Sequence, residues 1–140
     1  MVVDTGTLAH ELRETIGRLV RRLRAEPGTL PVPQGTVLAR LDREGSAGAS
    51  DLAAAERMRP QSMAQIVREL ESAGLISRRP DPDDGRRALI EITPAGLERL
   101  HTARARREGW LTEVLEREFT ADERDTLRAA LSLLRRLADS

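Results

Sequence analysis

Gly74 and the residues on either side of it limit what this chain can fold into more than any other feature of its 140 residues. Upstream, Pro60 fits the first position of a helix, where its missing N–H would have had no partner. Met63, Ile66, Val67 and Leu70 then recur at helical spacing. Gln61, Ser62, Gln65 and Arg68 fall on the opposite side. At Gly74 the helix must stop, because glycine reaches the left-handed conformation of a helix end at little cost. Leu75 is placed to fold back on Leu70 in a Schellman arrangement. The chain then runs extended over Leu75–Arg79, turns through Pro80-Asp81-Pro82-Asp83-Asp84-Gly85 and returns over Arg87–Thr93. Thr93-Pro94 reads as an N-cap followed by a proline at the first helical position. A helix followed at once by a charged β-hairpin is the core of a winged helix-turn-helix.

The flanks are helical. Leu8, Leu12, Ile16, Leu19, Val20 and Leu23 form an apolar stripe, with Thr7 as the expected cap and Arg13, Arg18, Arg21, Arg22 and Arg24 largely off the stripe. After a break at Pro27-Gly28-Thr29-Leu30-Pro31, a second helix is expected from about Pro33 to Gly45, with Val37, Leu38 and Leu41 inward. Ser50–Glu56 reads as a short third helix, with Leu52 and Met58 in the core, Arg57-Met58-Arg59 as a turn, and Ser50 as either a local cap or a phosphate contact. From Pro94 a long helix is expected to about Glu116. Its apolar positions Leu97, Leu100, Trp110, Leu111, Val114 and Leu115 are interrupted by a polar, Arg-rich segment from His101 to Gly109. Thr120-Ala121-Asp122-Glu123 is a capping box that opens a last helix carrying Leu127, Leu131, Leu134 and Leu137. Fraying is expected at both chain ends. The fold class is therefore mainly α with a small β-hairpin. One domain spans 1–140, divided into a winged helix-turn-helix over about 33–93 and a helical part over about 7–26 and 94–138.

Three pieces in order resemble the MarR (multiple antibiotic resistance regulator) family. They are Leu70-Glu71-Ser72-Ala73-Gly74-Leu75-Ile76-Ser77-Arg78, Asp84-Gly85-Arg86 at the wing tip, and Ile92-Thr93-Pro94-Ala95-Gly96. With long helices on both sides, the resemblance extends from about Leu8 to the C-terminus. It implies a transcriptional regulator, by default a repressor, that dimerises through its terminal helices; the lack of a membrane-spanning run or a signal-peptide pattern makes the cytoplasm the expected location. The resemblance also implies a small organic effector, often phenolic or a carboxylate, in the crevice between the winged part and those helices. His10, Arg13 and the residues near Leu30 and Val37 are the sequence's candidates for approaching that crevice.

The residues themselves point to double-stranded DNA as a partner. A recognition helix enters the major groove with its N-terminal residues near the base edges, which here are Arg59, Gln61, Ser62 and Gln65. Glutamine suits adenine, arginine suits guanine or phosphate, and Arg68, one turn on, suits a phosphate. The Asp84-Gly85 turn is expected to project Arg86 or Arg87 from the wing, where a guanidinium can enter a narrow minor groove. By the resemblance, that arginine is Arg86 and Asp84 shapes the wing. Asp81, Asp83 and Asp84 read as turn formers that bond their own backbone. Arg78 and Arg79 are further phosphate candidates. Two copies about a two-fold axis would read a pseudo-palindrome with half-sites about one helical turn apart. A plain alternative is a solvated helix face and a surface hairpin whose ion pairs contribute little.

Composition narrows the choices. The 23 basic residues, all arginine, balance the 23 acidic ones, so DNA contact must come from local clustering rather than a generally basic surface. The absence of cysteine excludes disulfides and thiol redox sensing by this chain. No apolar run is long enough to span a membrane, and no signal-peptide pattern is present. His10 and His101, the only histidines, lack clustered partners for zinc and read as exposed helical residues. No phosphate-binding glycine loop, nucleophile elbow or paired-His motif occurs, so neither an enzyme nor a bound cofactor is expected. The rival reading from another class is a winged-helix dimer that serves as a protein-interaction module without specific DNA binding, which zero net charge and the acidic wing loop favour slightly.

Overall fold

The computed structural model describes residues 2–140. Its elements run α1 (Thr5–Arg24), α2 (Val32–Glu44), α3 (Ala49–Ala55), α4 (Pro60–Ser72), β1 (Ile76–Pro80), β2 (Ala88–Ile92), α5 (Pro94–Glu118) and α6 (Ala121–Ala138). The core lies between α2, α3, α4 and the hairpin, where Val37, Leu38, Met63, Val67, Leu70 and Ile90 are all fully buried. All of these except Ile90, which lies on β2, are positions that the helical spacing turned inward on α2 and α4.

Gly74 takes φ 74°. The Leu75 N–H donates to the Leu70 carbonyl at 3.0 Å and the Gly74 N–H to Glu71 at 2.9 Å, the two bonds of a Schellman end. The reversal delivers Ile76 into β1 opposite Ile92, and Arg78 opposite Ile90. A backbone bridge between Ala47 and Ile90 (3.1 and 2.8 Å) ties the hairpin to the loop before α3. Thr93 caps α5 through the Gly96 N–H at 3.1 Å, and its hydroxyl also donates to the Gly74 carbonyl at 2.7 Å. Gly96 itself lies against the Leu75 carbonyl so closely that a Cβ there would collide with backbone. One threonine and one glycine thus seat α5 on the end of α4.

Several local expectations shift. Asp4 rather than Thr7 caps α1: its carboxylate accepts from the Thr7 N–H at 2.9 Å and from the Thr7 hydroxyl at 2.6 Å. The hydroxyl bond, then the backbone bond, hold that carboxyl below its ordinary range. Aspartate is a strong N-cap, and Thr7 is the residue three positions on that donates to it. Ser50 is not a cap either, because α3 begins at Ala49 after Gly48. The expected N-terminal fraying falls partly on Met1, outside the described residues. At the other end α6 continues to Ala138.

Ala121 opens α6 behind the predicted capping box, with both reciprocal bonds formed between Thr120 and Glu123. The α5 helix leaves the winged part through Leu100 and Ala103, both buried near α2. Further along, the Arg22 guanidinium of α1 sits 4.1 Å from the Trp110 ring centroid, a cation–π contact. Among the described residues, none in α1 or α6 is buried, and no helix is long and apolar enough to cross a membrane.

Candidate nucleic-acid interface

Four inward residues of α4, Met63, Ile66, Val67 and Leu70, clamp that helix onto the core. The same rotation leaves Gln61, Ser62, Gln65 and Arg68 exposed along the other side, with Arg59 exposed at the N-cap. Arg59 and Arg68 make no ion pair among the described residues. The turn before α4 is tight. Arg57 adopts φ 52°, a left-handed conformation uncommon outside glycine, and the Met58 N–H donates to the Ala53 carbonyl at 2.8 Å.

At the wing, Asp81 and Asp84 bond their own backbone. Asp81 Oδ1 accepts from the Asp83 N–H at 2.9 Å and Asp84 Oδ1 from the Arg86 N–H at 3.1 Å. The Arg86 side chain is 99% exposed, with Asp84 at 3.9 Å. The Arg87 side chain turns back instead. It pairs with Asp51 on α3, lies 3.7 Å from Asp81, and covers Gly48. The Asp-Gly turn therefore offers one arginine to solvent and uses the other to hold the wing against α3. Arg78 pairs with Glu71 and Arg79 with Glu91, each at 3.0 Å, so both are partly neutralised within the protein.

Sequence reading missed three partners. Asp51 meets Arg87 from 36 residues away. Gln34 meets Glu69 from 35 residues away, and Arg40 Nε meets Glu56 at 2.6 Å, with Glu56 first and Glu44 second in raising the Arg40 pKa. No local pattern signals contacts at such separations.

A second feature lies on the far side of α2. A cleft of about 290 Å³ opens between the end of α1, α2 and α5, lined in part by Arg24, Leu30, Arg43, Leu100, Arg104 and Arg107. Arg104 reaches Asp42 at 3.3 Å, whereas Arg107 Nε is buried with no hydrogen-bond partner among the described residues. Of the wall candidates, Leu30 and the residues near Val37, namely Gly35, Thr36 and Ala39, line the cleft. Val37 is fully buried in the core, His10 lies beside Glu14 at 3.6 Å, and Arg13 borders a different groove on α1.

Residues 30–88 match the model of the MarR family. Over 141 aligned positions the chain is 36% identical to an uncharacterized HTH-type transcriptional regulator of Mycobacterium leprae, covering 99% of this chain and 98% of that protein. An HTH-type transcriptional regulator of Mycobacterium tuberculosis is similar to the same extent, 36% over 99% and 98%. Among solved structures, a Pseudomonas aeruginosa protein described as a transcriptional regulator superposes with a TM-score of 0.86 at 40% identity, over 96% of each chain. Apo MarR from E. coli shares the fold, with a TM-score of 0.70 at 21% identity over 96% and 98% of the two chains.

Proposed function

The chain belongs to the MarR family of DNA-binding transcriptional regulators, and from that premise we propose that it represses transcription as a homodimer on a pseudo-palindromic operator. The observation that carries the DNA contact is the pairing of an exposed polar face on α4 with a solvent-extended arginine at the hairpin tip. In this reading Gln61, Ser62 and Gln65 meet base edges in the major groove, Arg59 meets guanine or phosphate, and Arg68 meets phosphate. Arg86 enters the adjacent minor groove. Arg87 is left to brace the wing.

The dimer is supported by the apolar side chains that α1 and α6 leave in solvent. Leu133 is 57% and Leu137 59% exposed, and Ile16, Leu19, Leu127 and Leu131 are each near 45%. Covering a side chain of this size fully contributes about 1.5–3 kcal/mol, so a second copy is the natural occupant. The arginine-walled cleft beside α2 supports an organic anion as effector. Arg24, Arg43, Arg104 and Arg107 in its lining supply the positive charge, and a ligand bridging α2 and α5 would bias how the winged part sits on the terminal helices.

A gel-shift titration against DNA flanking the protein's own gene, at two salt concentrations with excess competitor, tests the reading. Tight, competitor-resistant binding is expected. Arg86→Ala should weaken it by about 1–3 kcal/mol per half-site and lower the salt slope by about 1, while changing stability by no more than about 0.5 kcal/mol. Parent-like binding by that variant would remove the wing from the interface. Binding abolished by salt or competitor would leave phosphate attraction alone and turn attention to the protein-interaction reading.

A further inference from the structure

Gln65 stands on the exposed side of α4, one turn before Glu69. Its carboxamide nitrogen donates to Glu69 Oε1 at 3.3 Å. The other carboxylate oxygen accepts from Gln34 Nε2, near the start of α2, at 2.8 Å. An ionised carboxylate only accepts, so both glutamines must turn their NH₂ ends toward it. A glutamine's two ends are otherwise interchangeable, and Glu69 removes that freedom. Gln65 keeps its carbonyl oxygen and one N–H for anything else it meets.

Glu69 is also an odd residue for this surface. A carboxylate on a DNA-facing helix works against the phosphate attraction that supplies much of the affinity. The neighbouring acid Glu71 is paired with Arg78, whereas Glu69 has no arginine partner among the described residues. Its partners are the two carboxamides.

We infer that Glu69, braced by Gln34, is a positioning residue that makes Gln65 select a base with an exocyclic amine. This rests on the reading that α4 enters the major groove. There adenine and cytosine each present an N–H₂ donor, guanine presents only acceptors, and thymine presents an acceptor and a methyl group. A carbonyl held outward accepts from the first two. Contact with guanine would rest on the one remaining N–H alone, with the outward carbonyl facing guanine's acceptors, and the tie to Glu69 opposes the turn that would bring both N–H groups to that edge.

The test selects operators for the full-length protein from a randomised duplex pool. The position that Gln65 controls is the one whose base preference Gln65→Ala abolishes. Binding is then measured to four operators that differ only there. The parent should prefer adenine or cytosine roughly tenfold. Glu69→Ala should reduce that ratio to about twofold or less, and Gln34→Ala should shift it the same way by a smaller factor. Removing a negative charge raises affinity for all four duplexes alike, so the ratio is the readout, and a general structural loss would not move it. An unchanged ratio in Glu69→Ala overturns the inference. So does a selected operator in which Gln65→Ala alters no position. If the parent enriches no sequence at all, the DNA-binding proposal itself fails and this inference falls with it.

Discussion

The winged part and the terminal helices are made of the same residue types and end in opposite states. Leu38 of α2 is 0% exposed, while Leu133 of α6 is 57% exposed. Both belong to amphipathic helices. The difference is that α2 has α4, α5 and β2 packed around it, whereas α6 has no comparable neighbour among the described residues. The winged part is therefore completed by its own sequence. The terminal helices carry the same kind of stripe as unfinished surface. A stripe of leucines says that something must cover it and does not say whether that something is in the same chain.

The sharpest way to break this contrast is to delete Ala121–Ser140. A monomer or an insoluble chain is expected, read by sedimentation, and a well-folded dimer would show that α6 is not the shared surface. Next comes a matched pair of truncations. Leu38→Ala should cost about 2–5 kcal/mol whatever the protein concentration. Leu131→Ala should barely change the thermal midpoint of dilute protein and lower it, relative to the parent, by an amount that grows and then levels off as concentration rises, because association contributes to stability by mass action. Equal concentration dependence in both would erase the distinction between the two regions. Within the winged part, Gly96→Ala should cost about 1–3 kcal/mol through overpacking, since the new methyl meets the Leu75 carbonyl. Denaturant unfolding checks it, and a neutral result would mean that α5 can shift away from Leu75 at the end of α4. The smallest effect is expected from Arg87→Ala and Asp51→Ala, about 0.2–1 kcal/mol each for a partly exposed pair. A double-mutant cycle should give less than the sum, and simple additivity would remove the brace between wing and α3.

Much of this architecture is legible in the chain because it is written locally. The Schellman end at Gly74, the Thr93-Pro94 start and the Thr120–Glu123 capping box each involve residues within a few positions of one another, and the backbone has few alternatives at such points. The stripe on α4 needed only the helical period. The outward residues of the candidate interface follow from the same period, since burying Met63, Ile66, Val67 and Leu70 leaves Gln61, Gln65 and Arg68 outside. The α1 cap was misjudged for a local reason: Thr7 is a competent cap by type, but Asp4 stands three residues earlier and accepts from it.

The two wing arginines mark the other limit. Arg86 and Arg87 are adjacent, identical in chemistry and follow the same turn, and apart from the family resemblance nothing in Asp84-Gly85-Arg86-Arg87 says which one faces solvent. Asp51 decides it, from another helix, by giving Arg87 a partner that Arg86 cannot reach. Gln34 does the same for Glu69, and so for the orientation of Gln65. Helix periods and caps depend on residues that are close along the chain, so the sequence by itself determined the elements, the inward faces and the family. Pairings between side chains 35 or 36 positions apart depend on where the packed core brings their helices. Only the tertiary structure decided which polar residues are spent inside the protein and which are left free.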